Sequence, residues 1–531
     1  MKNNNLNRRS IMMHTMQLGF STVISKGLGF IREILMARYL GVGPLADAFF
    51  TAFRIPNSLR KIFAEGALSA AFVPTLTQVV AKEGQEQASK VTTLALIIMQ
   101  AVLAVVCVIF VVGAPFFISM QVPGWLAGDG RHTERFVVAV ALFKILIFYI
   151  MFISMSSMLS GALQGINKFA IAAWGQIFMN VVWIAQLWLC SAYAVSLTTF
   201  AWLMLVNGAV YAGVHYIFYH HAGFRFILSF DAATWAAVMQ GLKKFFPCAI
   251  GLGAVEINLY IDQIVASYLP GGSLSLLNYT QGFVRLPLGV FAVAFGTILL
   301  PHFSRVSRYA PKRMGYYLLE STKLVLWVTL PATLLMSFFS YKIFYTTYYS
   351  FSDKFALTYV QEASTLLMLS VLGLFFFSLN KIVINIFYAL HETRWPTIIT
   401  IIATIANTLL NIVGMKYLGL QGIVLATTLA ALLQSVLFIV VLQYKMNLNW
   451  YPTALCGFAG RYVAQVVLIS FIFYGVYSLC SYYLAQLSTY WKHLLFETMI
   501  FWLWVGPLCV GFMIALYFTR RWFGIKLHFL D

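Results

Sequence analysis

Two stretches of this 531-residue chain share one plan: ARYLGVGPLADAFFTAFRIP (Ala37–Pro56) and ASYLPGGSLSLLNYTQGFVRLP (Ala266–Pro287). Each opens on A-x-Y-L, passes a Gly-containing turn, and runs through an apolar span that closes on Arg-aliphatic-Pro. They stand about 230 residues apart. A second pair repeats at nearly the same offset: ALQGINKFAIAAWGQIFMN and ALHETRWPTIITIIATIAN each place an Asn eighteen residues after the first Ala, Asn180 and Asn407. Short apolar strings also match by chance, but two matches at one offset argue against chance. Membrane transporters are often built from such duplications. About six helix-length segments separate equivalent points. That even number gives both halves one orientation, a parallel pseudo-repeat about an axis along the membrane normal.

Composition supports the membrane setting. The chain is 61% hydrophobic and 10% charged, which excludes an ordinary soluble globule. Its apolar runs reach about 20 residues, enough to cross a hydrocarbon core of about 30 Å as helices, and the short alternating segments of a membrane barrel are missing. The fold class expected is an all-α integral membrane protein of about fourteen transmembrane helices. They fall near 13–40, 46–75, 92–120, 135–161, 169–193, 196–219, 244–269, 273–301, 316–346, 356–389, 396–415, 421–444, 459–485 and 493–518. Helices 1–6 make a first lobe over 1–232, helices 7–12 a second over 233–446, and helices 13 and 14 lie outside the duplication in 447–531.

The net charge of +19 sits mostly in connectors. With the N-terminus inside, about 20 Lys and Arg fall on cytoplasmic segments and about 5 outside, so both termini are expected in the cytoplasm. The basic start MKNNNLNRRS leads into an apolar stretch with no small-residue cleavage site, as a cytoplasmic tail before an uncleaved first span would. No stacking platform points to nucleic acid. The six cysteines lack CxxC spacing and read as small core residues.

The first span is unusual. SKGLGFIREILMAR (Ser25–Arg38) carries Lys26, Arg32, Glu33 and Arg38, although a charge at mid-bilayer costs roughly 2.5–3.5 kcal/mol on insertion scales. Arg38 can snorkel to a surface. In helix 2, Asp47, Arg54, Lys61 and Glu65 recur at spacings of seven, seven and four, one stripe on a 3.6-residue helix. In helix 1, Ser25 and Arg32 share a face, while Lys26 and Glu33 share another. Lipid cannot solvate these stripes, so helices 1 and 2 are read as cavity walls. Glu256, Asp262 and Arg285 mark the equivalent wall on helices 7 and 8. Cations, Arg60 among them, outnumber the acids that can pair with them. A surplus of guanidinium forks suits an anionic substrate with phosphate oxygens.

The run GFIREILMARYLGVGPLADAFFTAFRIPNSLRKIFAEGALSAAFVP closely resembles the signature of the MurJ (MviN) flippases of the MOP exporter superfamily, and GTILLP and INKF resemble that family too. The resemblance covers nearly the whole chain. It implies two six-helix lobes plus a C-terminal pair that forms a groove for a lipid tail. It also implies a monomer of the bacterial cytoplasmic membrane that moves lipid II, the undecaprenyl-pyrophosphate-linked peptidoglycan precursor, among membrane lipids. By position, Arg32 and Arg60 match cavity arginines that the family requires. Ser25, Glu33, Asp47, Lys61 and Glu65 fall on motif positions, and Lys26 stands where an arginine is common. The family's helix 8 arginine falls at Gly282, and Arg285, three residues on, is the candidate replacement.

Some members bind sodium in the second lobe. The matching residues here are Asp262, Asn407, Asn411 and Thr427, with the backbone carbonyl of Ile423. Asn411 stands where sodium-binding relatives have a carboxylate. Two asparagines one turn apart suit a hard cation; polar helix packing is the alternative. No other cofactor is implied, and the driving force is sodium or the membrane potential. A flippase for another polyprenyl-pyrophosphate-linked oligosaccharide would need the same charges. A membrane enzyme is disfavoured, because no paired carboxylates, metal-ligand cluster or nucleophile elbow is found.

Overall fold

The computed structural model describes residues 8–63, 68–127, 133–166, 168–289, 293–310 and 313–528, which are α-helices joined mostly by short turns. By packing, the chain divides into two compact units, Met1–Ser275 and Leu276–Asp531. The first holds α1 (Arg8–Leu40), α2 (Pro44–Arg60), α3 (Leu68–Val112), α4 (Ala114–Gln121), α5 (Thr133–Leu146), α6 (Tyr149–Gly165), α7 (Phe169–Ala192), α8 (Leu197–His221), α9 (Ala232–Ala266) and the first turn of α10 (Ser273–Pro287). The second holds the rest of α10, then α11 (Val293–Tyr309), α12 (Met314–Phe338), α13 (Ser340–Thr347), α14 (Leu357–Leu372), α15 (Leu374–Ala389), α16 (Arg394–Leu418), α17 (Leu420–Tyr444), α18 (Pro452–Leu484), α19 (Thr489–Glu497) and α20 (Phe501–Thr519).

Among the described residues, helix is found in each of the expected segments, with breaks inside several. Among the described residues, ten helices are long and apolar enough to cross a membrane. They do not include α1, α2, α9, α10 or α11. Four of these five, α1, α2, α9 and α10, carry the charges placed at membrane depth. α3 is divided by Gly84, whose φ of +89° interrupts the helical path and suits a residue without Cβ. α2 widens into a π-type turn over 61–63, and α10 does the same over 288–289, so the repeat is visible as local structure. The last span starts at Phe501, not near 493. Thr498 is extended (ψ 176°), and the short α19 before it buries none of its side chains. All six cysteines are free, as core residues would be, but only Cys107 and Cys190 are buried, and Cys248 and Cys456 are exposed.

In the first unit, α1 packs on α7, and α3 lies between α6 and α9. The start of α9 is fixed by Asp231, whose carboxylate accepts the Thr234 N–H at 2.7 Å as an N-cap. The Ser229 hydroxyl first, and Thr234 second, hold that carboxyl well below the usual carboxylate range. In the second unit, α16 and α17 pack closely against each other. Small residues let membrane helices approach closely, and here a Cβ on Gly414 would lie 2.6 Å from the Gly422 carbonyl oxygen. A Cβ on Gly422 would collide with the Gly414 backbone in turn. Overpacking of this kind costs about 1–3 kcal/mol. Gly422→Ala should therefore lower the thermal unfolding temperature of the detergent-solubilised protein, and an unchanged melt would show that the helix crossing yields freely.

Candidate functional site

The charged stripe of α2 finds its partners on α9. Asp47, Thr51, Arg54, Ser58 and Lys61 recur every three or four residues, one face of a helix. Glu256, Tyr260 and Gln263 do the same on α9. Gln263 Nε2 donates to Thr51 Oγ1 at 3.4 Å, and the Arg54 guanidinium stands 5.7 Å from the centre of the Tyr260 ring. Ser58 Oγ donates to Glu256 Oε2 at 2.8 Å. Lys61 Nζ reaches both Glu256 carboxylate oxygens at 3.0 Å. The two helices are thus joined by a polar seam running antiparallel along α2.

Asp47 closes one end of the seam. Its Oδ2 accepts the Gly272 N–H and its Oδ1 the Ser275 N–H, both at 2.7 Å, so it caps the first turn of α10 as an anion at a helix N-terminus. Arg135 stands 3.8 Å from the same carboxylate, over the Trp125 ring at 4.7 Å. Asp47 and Arg135 are buried. Beside them the Gly124 N–H donates to Ser267 Oγ at 3.0 Å. At 1.5 Å per residue, Asp47 lies roughly 20 Å along the helix from Lys61, apart from the cations it was grouped with.

Arg32 is held from α7. Its Nη1 donates to Asn180 Oδ1 at 3.3 Å, and its guanidinium lies over the Trp183 ring at 4.4 Å. Asn180 Nδ2 donates to both Ser25 O and Ser25 Oγ at 3.2 Å, and Glu33 is 3.6 Å from Arg32. Arg60 donates to Asn57 Oδ1 at 3.1 Å and is within Coulombic range of Arg32. Guanidiniums such as these, that of Arg32 fixed over an aromatic ring, suit an anion with several oxygens.

Ser25, Arg32, Glu33 and Arg60 thus share one neighbourhood, while Arg54 and Lys61 belong to the seam. Lys26 is exposed on α1. Glu65 lies outside the described residues. Arg285 is exposed on α10 in the second unit, donating to Gln281 Oε1 at 3.2 Å. Of the sodium candidates, Asp262 is buried in the first unit; Asn407, Asn411 and Ile423 are buried in the second. Thr427 Oγ1 donates to the Ile423 carbonyl at 3.1 Å. Oxygen donors of this kind fit a hard cation. Among the described residues, no group of three or more His, Cys, Asp or Glu could hold a metal ion. Sequence reasoning did not assign Trp183, Tyr260 or Asn180 to the site, and it placed Glu256 only on a wall. Trp183 could have been found as an aromatic one turn from the repeated Asn180.

In the second unit, α18 and α20 pack on each other and on α12. Phe458, Tyr462, Phe512 and Leu516 lie against Trp327 and Leu330. Gln465 Nε2 donates to the Leu516 carbonyl at 2.8 Å and to Thr519 Oγ1 at 2.7 Å. Between these helices opens an apolar hollow of about 340 Å³, lined by Leu335, Phe338, Phe471, Tyr474 and Phe512 among others.

Apolar helices around a charged, partnered seam make a multi-pass membrane protein of the transporter class. The chain belongs to the lipid II flippase MurJ family, whose family model matches residues 36–498. That is a family of transporters and not of catalysts. A relative from Rhizobium tropici, named a probable lipid II flippase MurJ, is 33% identical over 446 residues, covering 83% of this chain and 82% of its own. The lipid II flippase MurJ of Burkholderia cenocepacia is 28% identical over 470 residues, covering 87% and 88%. The fold is similar to a solved lipid II flippase MurJ in an inward closed conformation, with TM-score 0.72 and 23% identity over 95% of this chain and 99% of that one. It is also similar to an inward-facing multidrug resistance MATE family transporter of the MOP superfamily, with TM-score 0.64 and 13% identity over 81% and 95%.

The Asp47 cap is open to direct test. Asp47→Ala strands two backbone N–H groups and the buried Arg135, and breaking a buried pair costs about 3–5 kcal/mol. Its thermal unfolding in detergent should fall well below wild type, with Asp47→Asn, which keeps one acceptor, in between. Equal melting temperatures for all three would show that the cap adds no stability.

Proposed function

We propose that this chain translocates lipid II across the bacterial cytoplasmic membrane by alternating access, with both termini in the cytoplasm. Membership of the family supports the substrate, and the Arg32 guanidinium, held by Asn180 over the Trp183 ring, carries the reading together with Arg60. The pyrophosphate enters at these two groups, where charge-assisted bonds from planar forks hold its oxygens. Lys26, Arg54 and Lys61 extend the basic surface, and Ser25, Glu33 and Asn180 orient Arg32. The head group is thereby withdrawn from water without being left unpaired. The polyprenyl chain remains apolar throughout, and the hollow between α12, α18 and α20 is the place for it. Access to the site then alternates, and the head group leaves on the other side. The protein acts as a monomer and catalyses no covalent step.

The membrane potential supplies the drive in this reading, at about 2.3 kcal/mol per elementary charge across 100 mV. Coupling to sodium through Asn407, Asn411, Thr427 and the Ile423 carbonyl is the second reading, favoured by two buried asparagines one turn apart on α16. Arg32→Ala and Arg60→Ala should each lower head-group externalisation by roughly 30-fold or more, given the 2–5 kcal/mol lost on truncating a buried charged partner. Access of an external reagent to lipid II in cells depleted of their own flippase is the readout, with inserted protein measured in parallel. Normal externalisation in both variants would sink the assignment.

The tail site has its own test. Leu335→Trp fills part of the hollow, so transport of lipid II with its full polyprenyl chain should slow several-fold while a short-chain analogue is spared. Equal slowing of both would place the tail elsewhere.

A further inference from the structure

We propose that Glu256 is an internal counter-anion that occupies the Lys61 end of the seam until the pyrophosphate displaces it, so that substrate binding is an exchange of partners. The inference deepens the lipid pyrophosphate reading and rests on it. The carboxylate of Glu256 receives Lys61 Nζ at 3.0 Å on both oxygens and Ser58 Oγ at 2.8 Å on one. An ammonium and a hydroxyl one turn apart are also the donors that a phosphate oxygen takes. Glu256 therefore stands where an anionic head group could be received by α2.

An unpaired ammonium at membrane depth is costly, and the bridge removes that cost while the site is empty of substrate. The pair is not sealed. The Lys61 side chain keeps 34% of its exposure and Glu256 keeps 14%, so neither is fully enclosed by protein. Asp47 and Arg135, by contrast, are nearly inaccessible, at 1% and 3%. One end of the seam is built to stay closed and the other to exchange. A pyrophosphate carries more charge than one carboxylate and offers more oxygens to Lys61 and Ser58, so it outcompetes Glu256 where a monovalent anion does not. The same competition weakens product binding and lets the head group leave. Glu256 is thus a positioning residue that sets affinity through Lys61.

The test measures binding of undecaprenyl pyrophosphate and of inorganic pyrophosphate to the purified full-length chain in nanodiscs. Glu256→Gln keeps an acceptor for Ser58 and Lys61 but removes the competing charge, so both probes should bind roughly five- to tenfold tighter. The gain should vanish in Lys61→Met/Glu256→Gln. A structural bridge alone would lower the melting temperature without tightening either probe. Glu256→Asp, with a shorter reach and the charge retained, should tighten binding by a smaller factor and serves if Glu256→Gln folds poorly. Unchanged or weaker binding in folded Glu256→Gln, or a gain that survives loss of Lys61, overturns the proposal while wild-type binding stands. If wild type binds undecaprenyl pyrophosphate no better than neutral polyprenol, the lipid pyrophosphate reading itself fails, and this proposal with it.

Discussion

Lys61 and Glu256 meet at 3.0 Å on helices that sequence similarity assigns to different repeats. Neither charge is tolerable alone in a hydrocarbon setting, because the interior offers no water to replace a lost partner. The same demand is met at every cation whose contacts are known in this unit. Arg32 has Asn180, Trp183 and Glu33, Arg54 has the Tyr260 face, and Arg135 has Asp47 and Trp125. These pairings decide which faces of α1, α2, α7 and α9 turn inward. The apolar faces then follow as the surfaces left for lipid and for one another.

The partners chosen along the seam differ in kind, and the difference has functional weight. At the Asp47 end the donors are backbone N–H groups of a helix start, fixed in direction and buried. At the Lys61 end they are a flexible ammonium and a hydroxyl, partly open to water. Charged hydrogen bonds in a dry setting gain strength from the low dielectric, and wet ones lose it. The first arrangement holds a conformation. The second can trade one anion for another at little cost.

Much of this was legible in the sequence, for a simple reason. A stripe such as Asp47, Arg54 and Lys61 is encoded by helical period alone, and the repeated A-x-Y-L turn marks where α2 and α10 begin. What periodicity cannot supply is the partner. The donors to Asp47 are main-chain groups more than 200 residues away and leave no side-chain signature. Tyr260 and Trp183 read as ordinary aromatics until a guanidinium is placed over them. Glu65 lies outside the described residues. The end of α19 merges with the last span in the sequence because Leu494, Leu495 and Phe496 look apolar, although none of its side chains is fully buried.

The connection between α8 and α9 ties α9 into the first unit. That segment is extended and lies along α3, where side chains rather than a strand satisfy its backbone. Gln85 donates to the Ala222 carbonyl at 2.7 Å. Ser89 Oγ accepts the Arg225 N–H at 3.3 Å, and Thr93 Oγ1 accepts the Ile227 N–H at 3.1 Å. Gln87 then reaches Thr234 on α9 itself at 2.9 Å, and Phe72 fills the space beside Gly241. Backbone groups tied this way do not separate without leaving polar atoms unsatisfied. α9 is therefore bound to α3 along its first turns and to α2 through the seam.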